Sequence, residues 1–175
     1  MITNWTNFSN LSVINVGNVP WADINSAQIE DGLFASASIY LSAGLRGYTE
    51  YLIAMNPIGI SGPLTITGIE YRVKGYAVLP YYNTDSPGDR LIGFINNTMQ
   101  FPNKTFDWPT SNSWSAIYGS STDTWGATSP IIIQDPSKFG VYLRGGIWAV
   151  QSGTAIWYVD CIQCRLTYQS GFFFI

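Results

Sequence analysis

The sequence contains no histidine, only two cysteines and few charged residues. Without histidine the chain lacks the commonest general base, every Ser-His or Cys-His nucleophile pair, and most transition-metal ligand sets. Charged residues make up 11% of the 175 residues, whereas about 25% is usual. With 8 Lys+Arg against 11 Asp+Glu and a net charge of −3, the chain offers no basic stripe for phosphates. Neither nucleic acid nor an anionic membrane surface is therefore an expected partner.

Two further absences bear on compartment and cofactors. The first residues lack the basic start and long apolar run of a secretory signal, and no stretch is long enough for a spanning helix, which predicts folding in a cytoplasm. Cys161 and Cys164 lie three residues apart on a predicted strand and so point to opposite faces. A disulfide or a shared metal would require that strand to break. We predict two reduced thiols and no cofactor.

What the chain has instead is aromatic residues, at 15%, and period-two alternation. The clearest example is 156–168. One parity carries Ile156, Tyr158, Ile162, Cys164, Leu166 and Tyr168, and the other carries Trp157, Cys161, Gln163, Arg165 and Thr167. We predict a central antiparallel strand that buries the first set. Asp160 interrupts the apolar pattern, and a carboxylate there must find donors, lie at a sheet end or have a function.

Short apolar runs alternate with turn residues along the rest of the chain, and no window shows helical spacing. Candidate strands are 29–41, 48–56, 64–77, 91–96, 113–118, 129–133, 140–150 and 155–168. About eight strands predict an all-β fold, a two-sheet antiparallel β-sandwich. At this length one domain is expected, with 1–15 as an extended N-terminal arm, 16–170 as the sandwich and 171–175 as an apolar C-terminal tail.

Glycines inside two candidate strands predict local distortions. The apolar parity changes across Gly68, which predicts a β-bulge that leaves Glu70, Arg72 and Lys74 in solvent. The pair Gly145 and Gly146 predicts a bend or a close backbone approach. We also expect 140–150 to pair with 155–168 through the turn at 151–153.

Uncharged aromatic segments are the candidate partner contacts. The arm repeats an apolar residue every third position, the irregular 78–112 region suits a contact loop, and the tail has no charge. The candidate side chains are Trp5, Phe8, Leu11, Tyr81, Tyr82, Phe101, Phe106, Trp108, Phe172, Phe173, Phe174 and Ile175. Alternatives stay open for each set: the arm docks on the domain or frays, the loop aromatics form a small buried cluster, and the tail completes the core.

Carboxylates are the remaining route to chemistry. Two of them are enough to hydrolyse a glycoside, and the available pool is Glu30, Asp31, Glu50, Glu70, Asp123 and Asp160. Acidic loop residues such as Asp85 and Asp89 could instead bind Ca²⁺, although they lack the dense oxygen-ligand spacing of a recognised loop. Because no other catalytic set is present, we expect no enzymatic activity.

Four segments resemble the β-sandwich, jelly-roll-like module of tailed-bacteriophage virion structural proteins. They are 64–73 (LTITGIEYRV), 122–126 (TDTWG), 135–144 (DPSKFGVYLR) and 159–168 (VDCIQCRLTY), with a weaker match over 21–35. The resemblance implies a jelly-roll-like fold and a non-enzymatic role in the virion, assembled in the host cytoplasm. It also implies major capsid or tail proteins as partners, and a homo-oligomer with a trimer favoured. Because little lies outside the module, the chain looks most like a capsid decoration or cement protein, with a tail, baseplate or fibre component as the alternative.

Glycan binding is a further alternative, because β-sandwiches can stack sugars on exposed aromatic rings. The candidates are Trp108, Trp114, Trp125 and Trp148. We expect Trp125 to lie in the core and Trp148 to face outward. A receptor-binding role would require two such rings to lie coplanar on an exposed face.

Overall fold

The fold is all-β and antiparallel, as predicted. The structure is a computed structural model that describes residues 1–14, 19–61, 63–79, 90–96, 98–100, 104–128 and 131–169. The strands are β1 (Thr6–Ile14), β2 (Ala35–Leu41), β3 (Arg46–Tyr48), β4 (Tyr51–Pro57), β5 (Leu64–Val78), β6 (Arg90–Ile95), β7 (Thr98–Met99), β8 (Lys104–Thr105), β9 (Ser113–Trp114), β10 (Tyr118–Ser120), β11 (Ile131–Ile133), β12 (Phe139–Arg144), β13 (Gly146–Trp148) and β14 (Gly153–Gln169). Two short 3-10 turns lie at Ile24–Ala27 and Pro136–Lys138. Within the described ranges, no helix has the length and apolar character needed to cross a membrane.

Sheet A is built around β14, the strand with the clearest alternation. One edge of β14 pairs with β5 along most of its length, and the other edge pairs first with β2 and then with the start of β1. The far edge of β5 carries the short strands β11, β10 and β9 in turn. The prediction of a central antiparallel strand at 156–168 is confirmed.

Sheet B has the order β1, β4, β12 and β6, and the short strands β7 and β8 extend it beyond β6. A separate two-stranded ribbon joins β13 to β3. The pairing of β13 with β3 shows that the expected hairpin between 140–150 and 155–168 was wrong. Gly145 ends β12 and redirects the chain: a Cβ there would lie 2.6 Å from Trp157 Nε1, so the predicted close approach is confirmed.

The first strand belongs to both sheets. Thr6 and Asn7 pair with β14 in sheet A, whereas Phe8 to Ile14 pair with β4 in sheet B. Most of the segment expected as an arm is therefore a strand of the sandwich. Its side chains are buried at Phe8 and Leu11, so burial follows the three-residue spacing that matched no regular period in the sequence.

The core between the sheets is rich in aromatic rings. Tyr71 of β5 lies between Phe8 of β1 and Phe139 of β12, with ring centroids 6.5 and 6.2 Å away. Its hydroxyl donates a 2.8 Å hydrogen bond to the carbonyl oxygen of Gly140 in sheet B. Burial raises the pKa of Tyr71 well above its ordinary value. This side chain therefore ties the two sheets together by packing and by a hydrogen bond.

Register shifts set which side chains reach that core. The pairing of β14 with β5 shifts between Val159 and Cys161, so the buried parity changes there. Trp157, which the alternation placed in water, is fully buried, whereas Tyr158 is only half-buried. The predicted alternation is therefore correct only after Asp160.

The second register shift confirms the bulge expected at Gly68. Thr167 pairs with Gly68 and Tyr168 pairs with Ile66, which leaves one extra residue on β5. Ile69, Tyr71 and Val73 consequently point into the core, as predicted.

Candidate functional site

The outer face of sheet A, on the opposite side from the core, carries a layer of charged side chains on β5 and β14. Glu70, Arg72 and Lys74 lie there, next to Arg165, Gln163 and Cys161 on the neighbouring strand. They were expected in open solvent, but Glu70 is buried and the two cations of β5 are half-buried. The reason is that each cation is paired with an anion or an aromatic ring from a neighbouring element.

Lys74 lies between two carboxylates. Its Nζ is 2.6 Å from Glu30 Oε1 and 3.4 Å from Asp160 Oδ2. The hydrogen bond from Lys74 to Glu30 is the main reason that the pKa of Lys74 is raised. Lys74 therefore stays a cation and compensates the charge of a carboxylate that is fully buried.

Asp160 lies where the edge of β14 that does not face β5 passes from pairing with β2 to pairing with β1. Val159 is the last residue of β14 paired with β2, and Gln163 is the first paired with β1. In the gap, Asp160 Oδ1 accepts hydrogen bonds from the backbone N–H groups of Asp31 and Gly32, at 3.3 and 3.1 Å. The carboxylate thus anchors the turn before β2 through Oδ1, so it finds donors, which was one of the options left open by the sequence. Its buried Oδ2 has no hydrogen bond and faces the Lys74 cation.

We expect Asp160→Ala to lower the free energy of unfolding by about 2 kcal/mol, because two partly buried N–H groups lose their acceptor. Asp160→Asn keeps an oxygen for these donors but removes the charge and puts an amide NH2 beside Lys74, so its loss should be about half as large. Urea unfolding at neutral pH measures both. Wild-type stability in both variants would show that the carboxylate does not hold this junction.

Arginine and tryptophan alternate over the rest of the charged layer. The Arg72 guanidinium lies 4.4 Å from the Trp5 ring centroid and 3.9 Å from that of Trp114, and Arg165 lies 4.7 Å from Trp5. Arg165 also forms a two-pronged ion pair with Glu70, with both distances 2.8 Å. Arg72 donates to Gln163 Oε1 at 2.9 and 2.6 Å. Trp5 is therefore held against the chain's own sheet by two cations.

An aromatic cluster lies beside the charged layer on the same face. Tyr76 and Tyr158 are cross-strand neighbours whose rings stack at 4.6 Å with an angle of 19° between planes. Phe34 meets both rings edge-on at 5.8 Å. Because the two tyrosine faces cover each other, they do not form a flat platform for a sugar ring.

The two cysteines are free thiols, and their environments make them unreactive. Burial, helped by the charges of Asp160 and Glu30, raises the pKa of Cys161 from its ordinary 9.0 to about 12. Burial raises the pKa of Cys164, which lies in the core, further still. Since the pKa of Cys161 is raised, the stability that this group contributes is complete below pH 9.0 and is lost as the pH rises through about 12.

We predict that iodoacetamide leaves both cysteines unmodified in the native protein at about pH 8, because the thiolate is the reactive species. The same treatment in denaturant should label both, which serves as the control. Mass spectrometry of the intact protein counts the labels. Native labelling of Cys161 at this pH would contradict the burial described here.

The predicted partner-binding residues divide into three groups. Phe8, Leu11 and Phe106 are buried in the chain's own core, which corrects the expectation that they face a partner. Trp5 and Trp108 are half-buried, with Trp108 meeting the Phe106 ring edge-on at 4.9 Å. The remaining candidates, Tyr81, Tyr82, Phe101, Phe172, Phe173, Phe174 and Ile175, lie outside the described residues.

Of the predicted carboxylate pool, the structure brings Glu30 and Asp160 together, with Lys74 between them. Glu70 is held by Arg165, and Asp123 pairs with Lys104 at 2.6 Å. No group of three or more metal-ligating side chains occurs in the parts of the chain that the structure describes. The predicted Asp85 and Asp89 fall outside those parts.

Each candidate tryptophan for glycan stacking has a different neighbour. Trp125 lies in the core, as expected, with its Nε1 donating to the carbonyl oxygen of Ile69 at 3.0 Å. Trp148 is half-buried under the Arg46 guanidinium at 5.4 Å. Trp114 faces Arg72, and Trp108 faces Phe106. These contacts occupy the rings within the protein itself.

Sequence reasoning missed the exposed apolar side chains of the surface. Tyr40 is 67% exposed, Leu33 60%, Leu45 54% and Val150 54%. Tyr40 lies on β2, whose sequence ASASIYL has no charged residue. The available signal was the absence of charge in ASASIYL, but 29–41 was predicted as one long strand, whereas β2 begins at Ala35.

The chain has little similarity to known proteins. No family model and no curated protein matches the chain. Among solved structures, it is similar to the CBM22-1 and GH10 modules of endo-1,4-beta-D-xylanase 10B from Clostridium thermocellum, complexed with xylohexaose. The identity is 9% and the TM-score 0.33, and the match covers 97% of this chain and 28% of that one. A TM-score this low establishes neither a shared fold nor a shared function.

Proposed function

We propose that the chain is a non-enzymatic structural protein of a tailed-bacteriophage virion, acting as a capsid decoration protein that bridges neighbouring subunits. The proposal is supported mainly by the contrast between paired charged side chains and exposed apolar side chains on the surface. Each cation on the outer face of sheet A is paired with an anion or an aromatic ring, whereas twelve large apolar side chains are exposed among the described residues. Contact with a neighbouring protein would remove these apolar side chains from water.

The segments that carry the resemblance to virion modules support the proposal through their place in the fold. The 64–73 and 159–168 segments lie in β5 and β14, which pair with each other at the centre of sheet A. The 122–126 segment packs Trp125 against Tyr71, with ring centroids 5.0 Å apart. These segments form the scaffold, so the likeness concerns a rigid module rather than an active site.

Bridging is a passive mechanism. The sandwich supplies a rigid body, and its exposed apolar side chains lose water when they pack on a neighbour. A stable contact needs roughly 1,000 Å² or more of buried surface, and a weakly charged surface lowers the cost of desolvation. Many such contacts around a shell would resist internal pressure without any reaction.

Immunogold electron microscopy of virions from the source phage tests the proposal. Antibody against the purified protein should label the head surface, and phage deleted for the gene should lose heads at a lower temperature. Adding the purified protein back should restore heat resistance. Label confined to the tail or baseplate would support the alternative position, and unlabelled virions with antigen only in the lysate would refute a virion role.

Glycan-array binding distinguishes a decoration protein from the remaining alternative, a receptor-binding module. A decoration protein should bind no glycan, whereas a receptor-binding module should bind a defined set and lose it when Trp114 is replaced by alanine. The ring contacts described above favour the first result, because Trp114 already stacks on Arg72.

A further inference from the structure

We propose that the free edge of β2 is a self-association site, at which a second copy of this chain adds its own β2 in antiparallel register. The pairing would join two copies of sheet A into one continuous sheet across a two-fold axis. It does not depend on the virion role. The contact closes as a dimer, in place of the trimer favoured from the sequence.

The direction of the backbone groups in β2 identifies the edge. Ser36 exchanges hydrogen bonds with Ala22 through both its N–H and its C=O, at 3.0 and 2.7 Å, so these groups point away from β14. In an antiparallel ladder the direction repeats every second residue. The N–H and C=O groups of Ser38 and Tyr40 therefore also point away from β14.

Those four groups have no backbone partner among the residues that the structure describes. The inner edge of β2 pairs with β14 from Ala35 to Leu41. On the outer edge, none of the described residues hydrogen-bonds to the backbone of Ser38 or Tyr40. Both residues are exposed, Tyr40 at 67%. Within the described ranges, the edge is therefore a short, unpaired template to which another strand can add.

Protection against such pairing is missing from this edge. Natural edge strands are commonly guarded by lysine, proline or a bulge. β2 reads ASASIYL, with no charge and no proline, and its pairing with β14 proceeds without a register shift. An identical strand brings no like charge against it, so nothing electrostatic opposes a second copy.

The sequence of the edge is also self-complementary. A two-fold axis through Ile39 places Ser38 of one copy opposite Tyr40 of the other, and the reverse, which makes four main-chain hydrogen bonds. Each Tyr40 ring then lies across from a serine, whose small side chain leaves room for the ring on the outer face. Ala22 limits the pairing at one end, and β2 ends at Leu41 at the other.

A proline at an outward-pointing position gives a sharp test, because it removes an N–H that the intramolecular ladder does not use. Sedimentation equilibrium from about 5 to about 500 μM should show a weak wild-type dimer, as expected for a small contact. Ser38→Pro and Tyr40→Pro should each raise the dissociation constant roughly tenfold or more, since each removes two symmetric hydrogen bonds. Leu33→Lys, at another exposed site, is the matched control and should dimerise like the wild type.

Hydrogen exchange adds a readout at the edge itself. The amides of Ser38 and Tyr40 should become more protected as wild-type concentration rises, while circular dichroism confirms that both proline variants remain folded. A wild-type protein that stays monomeric with these amides exchanging rapidly would overturn the proposal. So would a dimer that both folded proline variants retain, because that dimer would use another surface.

Discussion

Trp125→Ala is expected to lower the free energy of unfolding by about 3–5 kcal/mol, the largest loss that we predict. The ring is 1% exposed and meets the Tyr71 ring edge-on at 5.0 Å. Its Nε1 donates to the carbonyl oxygen of Ile69, which would be left without that donor. The backbone of Trp125 is left-handed, with φ 56, and its N–H is held by Asp123 Oδ1 at 2.8 Å.

Trp148→Ala is the matched control. Trp148 is half-buried and its ring faces the Arg46 guanidinium at 5.4 Å, so the variant should lose about 1 kcal/mol of unfolding free energy. Urea unfolding of the three proteins at one pH measures the difference. Equal losses for the two variants would show that Trp125 is not a centre of the core.

Gly68→Ala is expected to cost about 3 kcal/mol, although it adds only one carbon. A Cβ at this position would lie 2.0 Å from the backbone carbonyl carbon of Ser121 and 2.5 Å from the carbonyl oxygen of Ser120. Neither is the mobile end of a side chain, so the turn after β10 must move. That turn is bonded to the bulge, since the Ile69 N–H donates to the carbonyl oxygen of Asp123 at 2.9 Å.

Gly59→Ala separates this clash from the general cost of replacing glycine. Gly59 has φ 77 and open space where the Cβ would be, so the substitution should cost about 1 kcal/mol of backbone strain. Thermal unfolding of the two variants and the wild type measures both losses. If Gly68→Ala were as mild as Gly59→Ala, the close approach at the bulge would be wrong.

The period-two alternation was sufficient to predict the sheet class and most of the long strands. β4, β5, β6 and β14 begin and end within a few residues of the predicted ranges. The bulge at Gly68 was also predictable, because a change of parity beside a glycine is a local signal. Long strands and glycine distortions depend on residues that are adjacent in the sequence, so they can be predicted from it.

Pairing partners were not predictable in the same way. β13 pairs with β3 although the turn at 151–153 suggested β14, because strand order depends on contacts between distant segments. The pairing of the charged side chains on β5 was not predicted, for a similar reason. Nothing near Lys74 in the sequence indicates that Glu30 and Asp160 will lie beside it. The charged layer therefore appeared as a solvated face until the fold placed its members together.

The position of β1 in both sheets has a consequence for the order of folding. Asn7, near the start of β1, accepts through its side-chain Oδ1 a hydrogen bond from Gln163 Nε2, 156 residues away, while the rest of the strand pairs with β4 in sheet B. Sheet A gains its β1 residues only when Thr6 and Asn7 meet β14, and sheet B gains β1 only when the strand meets β4. Such distant pairings slow the search for the native state, so refolding should end with the capture of β1, and species lacking it will expose both layers to aggregation.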